Sequence, residues 1–528
     1  MDVLTKRYGA WLALAILLWA NATQSALAQL SNHNLDDQGA RWPATPQAVP
    51  LPDLPAEQPP TIPPPAFIPQ PIEYRPFAPA VQASFQPDSE PSASSLKELE
   101  ERLAKLEGAW KDQEEAEAES KADAAKKPSM SITGRIHLDS WTFTEDDAGI
   151  GFFENPDSGA DPENRLFFRR LRIAWLGEAF ETMLYKMEFD FNEPSNPEIK
   201  DNYIGFQHLP IFQTVLIGVQ KRPIGLDHLN SSRYNIFIER PLVVEAFNED
   251  ARRLGICSYN VSDDEVYNWQ YGAYLLENPN ESGSVIGDSR QGSFNARLAS
   301  SPWYDEPSDG RYYFHWAVSG MVAQPDGDAH PTDTNPNLGR FRTRSEIRSS
   351  TRWLDTGPIA GAETYEILGL ESIYNYGPLQ IVAEHQTSWL QRDETTPGTG
   401  PDVVLHGGYI QAAYFLTGEY MTYERDSGTI GRVSPFENFF VVRDAEGRIC
   451  HGCGAWQVAI RYSYLDLSDE DILGGVGSNT TLALVWYFNP YSSLQLNAVY
   501  GEIEEHEPVG GFTEGEFVAL GARLRIDF

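Results

Sequence analysis

From Ser131 to Phe528 apolar and polar residues alternate with a period of two. In the last stretch Val518, Leu520, Ala522, Leu524, Ile526 and Phe528 share one face, and Arg523, Arg525 and Asp527 the other. Trp456, Val458, Ile460, Tyr462 and Tyr464 oppose Gln457, Arg461 and Ser463 in the same way, and Tyr185, Met187, Phe189 and Phe191 oppose Lys186, Glu188 and Asp190. Strict alternation predicts strands with one apolar face. A soluble double-layer sheet also alternates, so length and punctuation decide. Segments of roughly 9 to 14 residues are joined by tight turns at Tyr376-Gly377-Pro378 and Asn489-Pro490-Tyr491. They alternate with long connections at about 222 to 250 and 324 to 360, the layout of a membrane barrel with short turns on one rim and long loops on the other. Charge on a lipid face costs about 2 to 4 kcal/mol near the midplane, so Arg170 and Arg172 are expected inside while Leu171, Ile173 and Trp175 face lipid. The fold class is therefore all-β, a 16-stranded antiparallel transmembrane β-barrel with a polar, wet lumen, preceded by a short coiled-coil helix. A seventeenth candidate strand, TGEYMTYERDSG, would put the chain ends on opposite rims. It is assigned, with the CHGC stretch after it, to one long periplasmic connection.

The first 127 residues read differently. Lys6 and Arg7, an apolar run from about Ala10 to Ala20 and Ala26-Leu27-Ala28 predict a secretory signal over 1–28. Residues 29–93 form a proline-rich periplasmic spacer with sixteen prolines between Arg41 and Pro91, too many to pack a core. Leu96, Leu99, Leu103, Leu106 and Trp110 are spaced 3, 4, 3, 4, a coiled-coil seam over 94–127 that predicts a parallel oligomeric stalk, with a single amphipathic helix lying on a surface as the alternative. The barrel takes 128–528. No later segment has the roughly 20 apolar residues of a membrane helix, so an exported membrane form must be a closed barrel.

Composition sharpens this picture. The chain carries 76 acidic and 40 basic residues, a net charge of −36, of which −29 belongs to residues 128–528. Against that background GRFRTRSEIR places Arg340, Arg342, Arg344 and Arg348 together. Guanidiniums at alternate positions make a row of forked, charge-assisted donors matched to phosphate oxygens, and several weak contacts in series guide an anion without trapping it. The bland alternative is a solvated loop balancing carboxylates such as Glu346. Of three cysteines, Cys450 and Cys453 predict a small local disulfide or an irregular loop, and Cys257 an unpaired, packed thiol.

The segments FRRLRIAWLGEAFETMLYKMEFDF, KDNYIGFQHLPIFQTVLIGVQKRPIGLDHLNSSRYNIFIERPL, YFLTGEYMTYERDSG, GAWQVAIRYSYLDLSDED and ALVWYFNP, in that order, resemble the phosphate- and polyphosphate-selective porins of bacterial outer membranes. The resemblance covers nearly all of Ser131 to Phe528. It implies a homotrimeric sixteen-stranded channel for phosphate or other small anions, set in outer-membrane lipid. It also implies an arginine ladder in the fifth external loop, spaced R-x-R-x-R-x-x-x-R, which Arg340, Arg342, Arg344 and Arg348 fit. The third loop, about Arg222 to Asp250, matches the family's inserted loop through SSRYNIFIER and implies Arg233 and Arg240 as pore-facing cations. Arg135 and Arg170 match strand positions with inward arginines. Each of these has the alternative of pairing with Asp139, Glu188 or Asp190 across the lumen. The acidic barrel departs from the family, and acidic loops repel anions at low salt. An enzyme is disfavoured, since no Gly-x-Ser-x-Gly, His-Glu-x-x-His or phosphate-cradling Gly-Lys-Ser/Thr occurs. No cofactor, metal or nucleic acid is expected. The alternative function is a general or cation-selective porin whose stalk also tethers the outer membrane to periplasmic or cell-wall material.

Overall fold

The computed structural model describes residues 128–528, apart from 250, 281–289, 329, 333–334 and 444–447, with Lys105 alone before them. The signal sequence, spacer and coiled-coil stalk expected over 1–127 lie outside the described residues.

Sixteen antiparallel strands close on themselves. In chain order they are β1 Ser131–Asp146, β2 Arg165–Ala179, β3 Met183–Asp190, β4 Glu198–Leu209, β5 Gln213–Lys221, β6 Arg252–Val261, β7 Tyr267–Leu275, β8 Gly292–Tyr304, β9 Tyr312–Gln324, β10 Ala362–Tyr376, β11 Leu379–Arg392, β12 Val403–Phe415, β13 Ala455–Asp469, β14 Ile472–Asn489, β15 Ser492–His506 and β16 Gly515–Asp527. Each pairs with its chain neighbours, and β16 closes on β1 with Leu524 opposite Leu138. The alternation determines the faces: Leu524 is 49% exposed on the outer wall while the adjacent Arg523 is 2% exposed on the inner one. Leu171, Ile173 and Trp175 lie on the outer alternation of β2, and Arg172 binds Asp190 inside, as the cost of charge in lipid requires.

Two connections from the long-loop rim enter the lumen. The third, 222–251, contains α2 Leu226–Leu229 and α3 Leu242–Phe247 (α1 is Ala148–Glu154, in the first connection). It is tied to the far wall by its backbone. The amides of Leu226 and Asp227 donate to the Glu384 carboxylate at 2.8 and 2.7 Å, Gln495 donates to the carbonyls of Asn235 and Ile236 at 2.8 Å each, and Arg523 donates to the Ile238 carbonyl at 2.5 Å. Ile236, Ile238, Leu242, Val243 and Phe247 then pack with Phe341, Ile347, Trp353 and Leu354 of the fifth connection against Leu405, Leu465, Val499 and Phe517 of the inner wall. The uniformly wet lumen expected from alternation is thereby corrected. On the side of β10–β16 the strands are apolar on both faces near the long-loop rim, and the loops bury that surface as a dry internal core.

The stretch TGEYMTYERDSG is excluded from the barrel, as expected, but it does not stay at the rim. Tyr423–Glu424 pairs with Thr429–Ile430 inside the lumen, where Arg297 donates to the Gly428 carbonyl at 2.9 Å and the Ile430 amide to Asn230 Oδ1 at 3.0 Å. A second small hairpin follows, Phe440–Arg443 with Ile449–Gly452. Cys453 carries a free thiol, so the local disulfide considered for Cys450 and Cys453 is not formed, and the stretch is held by the hairpin's backbone ladder instead. Cys257 is free and buried, as expected.

Candidate functional site

With the C-terminal side of the lumen filled, the open space lies against β1–β6. A register shift in β1–β2 shapes it: His137 faces Arg170 and Leu138 faces Phe168, which leaves Arg169 as a bulge residue. The bulge lets Arg169, Arg170 and Arg172 all reach inward. Arg169 grips Glu239 of the third connection with bonds of 2.9 and 3.2 Å, and Arg172 binds Asp190 at 2.6 Å and Glu188 at 3.4 Å. Arg170 meets only the ring of His137, at 3.3 Å, with no carboxylate in ion-pairing range among the described residues.

Two cavities adjoin here and share Arg170, Arg172, Arg240 and Arg252. The first, about 300 Å³, lies toward the long loops and is lined by nine Arg or Lys against five Asp or Glu. The second, about 320 Å³, lies toward the short-turn rim and is lined by eight Arg or Lys against Asp201 alone. In a chain with almost twice as many acids as bases, that inversion is local and marked. Screening over about 8 Å at physiological salt lets it persist.

The residues singled out from the sequence separate in space. Arg344 and Arg348 line the first cavity. Arg340 is instead paired with Asp355 at 2.8 Å across a two-residue ladder, and Arg342 with Glu249 at 2.8 Å. Glu346 does not balance the ladder; it is buried and binds Arg461 of β13 at 2.5 Å and Thr481 at 3.0 Å. Arg135 lines the second cavity, bonded to Ser232 at 2.8 Å and near Glu188 at 3.4 Å. Arg233 lines it too, against Thr133 at 3.0 Å and Asp527 at 3.5 Å. Arg240 borders both cavities and is held by Asp227 at 3.0 Å. Asp139, considered as a partner for these, is taken by Arg523 at 2.7 and 2.6 Å.

Ionisation in the loops follows the same field. Burial alone would raise the Glu239 carboxyl, but Arg169 and then Arg523 hold it well below the carboxylate range. Burial raises Glu245, against the pull of Arg344 and Arg348. Arg348 is pushed down to about 9, first by the charge of Arg169 and then by burial. It has no carboxylate in ion-pairing range among the described residues. A guanidinium destabilised by its neighbours is one that an incoming anion stabilises. No cluster of three or more His, Cys, Asp or Glu among the described residues could hold a metal ion.

Sequence reasoning missed Arg169, Arg252 and Arg352 as lining residues. Arg352 continues the ladder four positions beyond Arg348 and was legible from that spacing. Arg169 was not, because the bulge that turns it inward is a property of strand pairing.

A closed barrel with an apolar outer wall and a cation-lined inner passage is an outer-membrane channel. Residues 145–510 match the family model described as phosphate-selective porin O and P, and the chain belongs to that family. It is 26% identical over 372 residues to an uncharacterized protein of Caulobacter vibrioides, covering 68% of each chain. It is 22% identical over 407 residues to porin O of Pseudomonas aeruginosa, covering 72% of this chain and 84% of that one. Among solved structures, the anion-selective porin of Comamonas acidovorans is similar with a TM-score of 0.44 and 12% identity, covering 76% of this chain and 100% of that one.

Proposed function

We propose that this outer-membrane channel passes small anions, phosphate or polyphosphate among them, along the wall formed by β1–β6. The observation that carries the reading is the eight-to-one excess of Arg and Lys around the second cavity, joined through four shared cations to the first. Guanidinium forks offered in series suit phosphate oxygens, and the carboxylates interleaved in the first cavity keep any single contact from becoming a trap. Within the ladder, Arg344 and Arg348 act on the anion, while Arg340 and Arg342 hold the loop in shape. The test is reversal potential in a salt gradient across a planar bilayer, with phosphate competing against chloride. Wild type should be anion-selective. Arg348→Ser combined with Arg170→Gln should lose most of that selectivity, whereas Arg340→Ser with Arg342→Ser should retain it. A cation-selective wild type overturns the reading in favour of a general or cation-selective porin.

On the family resemblance we further propose a homotrimer. Its N-terminal part would comprise a removed signal over 1–28, a periplasmic spacer over 29–93 and a coiled-coil stalk over 94–127. Light scattering of the detergent complex, with and without 29–127, measures the oligomer and what the stalk adds to it.

A further inference from the structure

The connection between β12 and β13 divides at the short-turn rim. Its first half enters the lumen, where Met421 and Tyr423 are buried. Its second half goes the other way. On β14, Leu482, Leu484 and Trp486 occupy the outward alternation, and Leu482 is 54% exposed, yet Trp486 is only 9% exposed. What covers its indole is Phe439, edge-on at 4.6 Å, and the Phe439 amide donates to the Phe488 carbonyl at 2.6 Å. Trp456 stacks on Trp486 at 4.8 Å, and both indole N–H groups donate to the Cys453 carbonyl, at 3.2 and 2.9 Å. The segment therefore lies over the outer wall of the barrel. From there it presents Phe436, Phe440 and Ile449, each more than 60% exposed, together with Val441.

We propose that this hairpin is seated in the phospholipid interface of the periplasmic leaflet, as an outboard anchor for the half of the connection that fills the lumen. The occupant follows from continuity. The aromatic rings of Phe439, Trp456, Trp486 and Phe488 join the hairpin without a break to the exposed Ile460 and Leu482 of the lipid-facing wall. Amphipathic rings with satisfied N–H groups, at the edge of an apolar band, are what the membrane–water boundary favours. Exposed phenylalanine and isoleucine side chains at that level meet acyl chains before they meet water.

The experiment uses the full chain carrying Cys450→Ser and Cys453→Ser; Cys257 is buried and remains. A nitrobenzoxadiazole dye is placed by Phe440→Cys, by Ile449→Cys, or by Glu163→Cys in an exposed external connection as the aqueous reference. Each protein is reconstituted into phosphatidylethanolamine–phosphatidylglycerol vesicles. The dye at 440 and 449 should emit to the blue of the dye at 163, lose most of its intensity to a nitroxide lipid labelled near the glycerol backbone, and resist iodide. Iodide quenching equal to that at 163 overturns the proposal by placing the hairpin in water. Protection from iodide without lipid quenching, with cysteine cross-links between copies at 440, overturns it in favour of a subunit contact.

Discussion

Glu245 and Arg344 face each other at 3.7 Å on the wall of the first cavity, and their balance sets how positive that cavity is. Burial raises the Glu245 carboxyl above its ordinary 4.5, against Arg344 and Arg348, with Glu239 adding to the rise. Glu239 itself is held low and stays ionised, so of these two carboxyls Glu245 takes up its proton first as pH falls. The sign follows directly. Above its raised pKa, Glu245 is charged and offsets Arg344; below it, the carboxyl is neutral and the arginines are unopposed. The anion-to-cation permeability ratio should therefore rise as pH falls from neutral toward the ordinary glutamate value, with the rise beginning before an ordinary glutamate would titrate. Glu245→Gln should show the higher ratio at both pH values, with the slope removed. Because the folded state favours the proton, the same titration should add stability toward acid. A wild-type ratio that decreases as the solution is made more acidic would contradict this account.

At the scale of elements, the third connection depends on how it leaves β5. Gly225 has φ of 71°, and a Cβ there would stand 2.9 Å from Gln386 Nε2 and 3.0 Å from Glu384 Oε2. The glycine lets the backbone turn and approach the carboxylate that receives the amides of Leu226 and Asp227. Gly225→Ala should cost at least about 1 kcal/mol from the positive-φ, extended-ψ backbone alone. It should also loosen the loop, measured as faster protease cleavage within 222–251 and noisier single-channel current. The sequence carried the outer half of this design and little of the inner half. Period-two alternation gives the outward Leu520, Leu524 and Ile526 because lipid demands it at every second position. The inner wall obeys no such rule. Leu405 and Leu465 face inward as apolar residues against IFIERPLVVEAF, a run whose burial depends on a loop folding back from far away in the chain. The ladder is similar. Its spacing is local and readable, but Asp355 and Glu249, which claim Arg340 and Arg342, are brought to it by tertiary folding.

Across the whole molecule the lumen cations divide by whether they have a partner, and the division separates stability from transport. Arg523 is enclosed by Asp139 and Glu239, with bonds of 2.6 and 3.0 Å, and lies on the filled side. Arg170 is as deeply buried but has only the His137 ring, and its Nε has no hydrogen-bond partner. Removing Arg523 strands the 0% exposed Asp139 as an unpaired charge. Arg523→Gln should cost about 3 to 5 kcal/mol, read as a lower midpoint in denaturant unfolding, with anion selectivity nearly intact. Removing Arg170 relieves a desolvated cation that no direct ion pair among the described residues offsets. Arg170→Gln should leave the unfolding midpoint unchanged or higher while lowering anion selectivity, since the charge is kept at the expense of the fold for the sake of the passing anion. Each variant should therefore lose mainly one property, Arg523→Gln stability and Arg170→Gln selectivity. If Arg170→Gln destabilises the barrel as much as Arg523→Gln does, Arg170 is a structural partner rather than an open site on the anion's path.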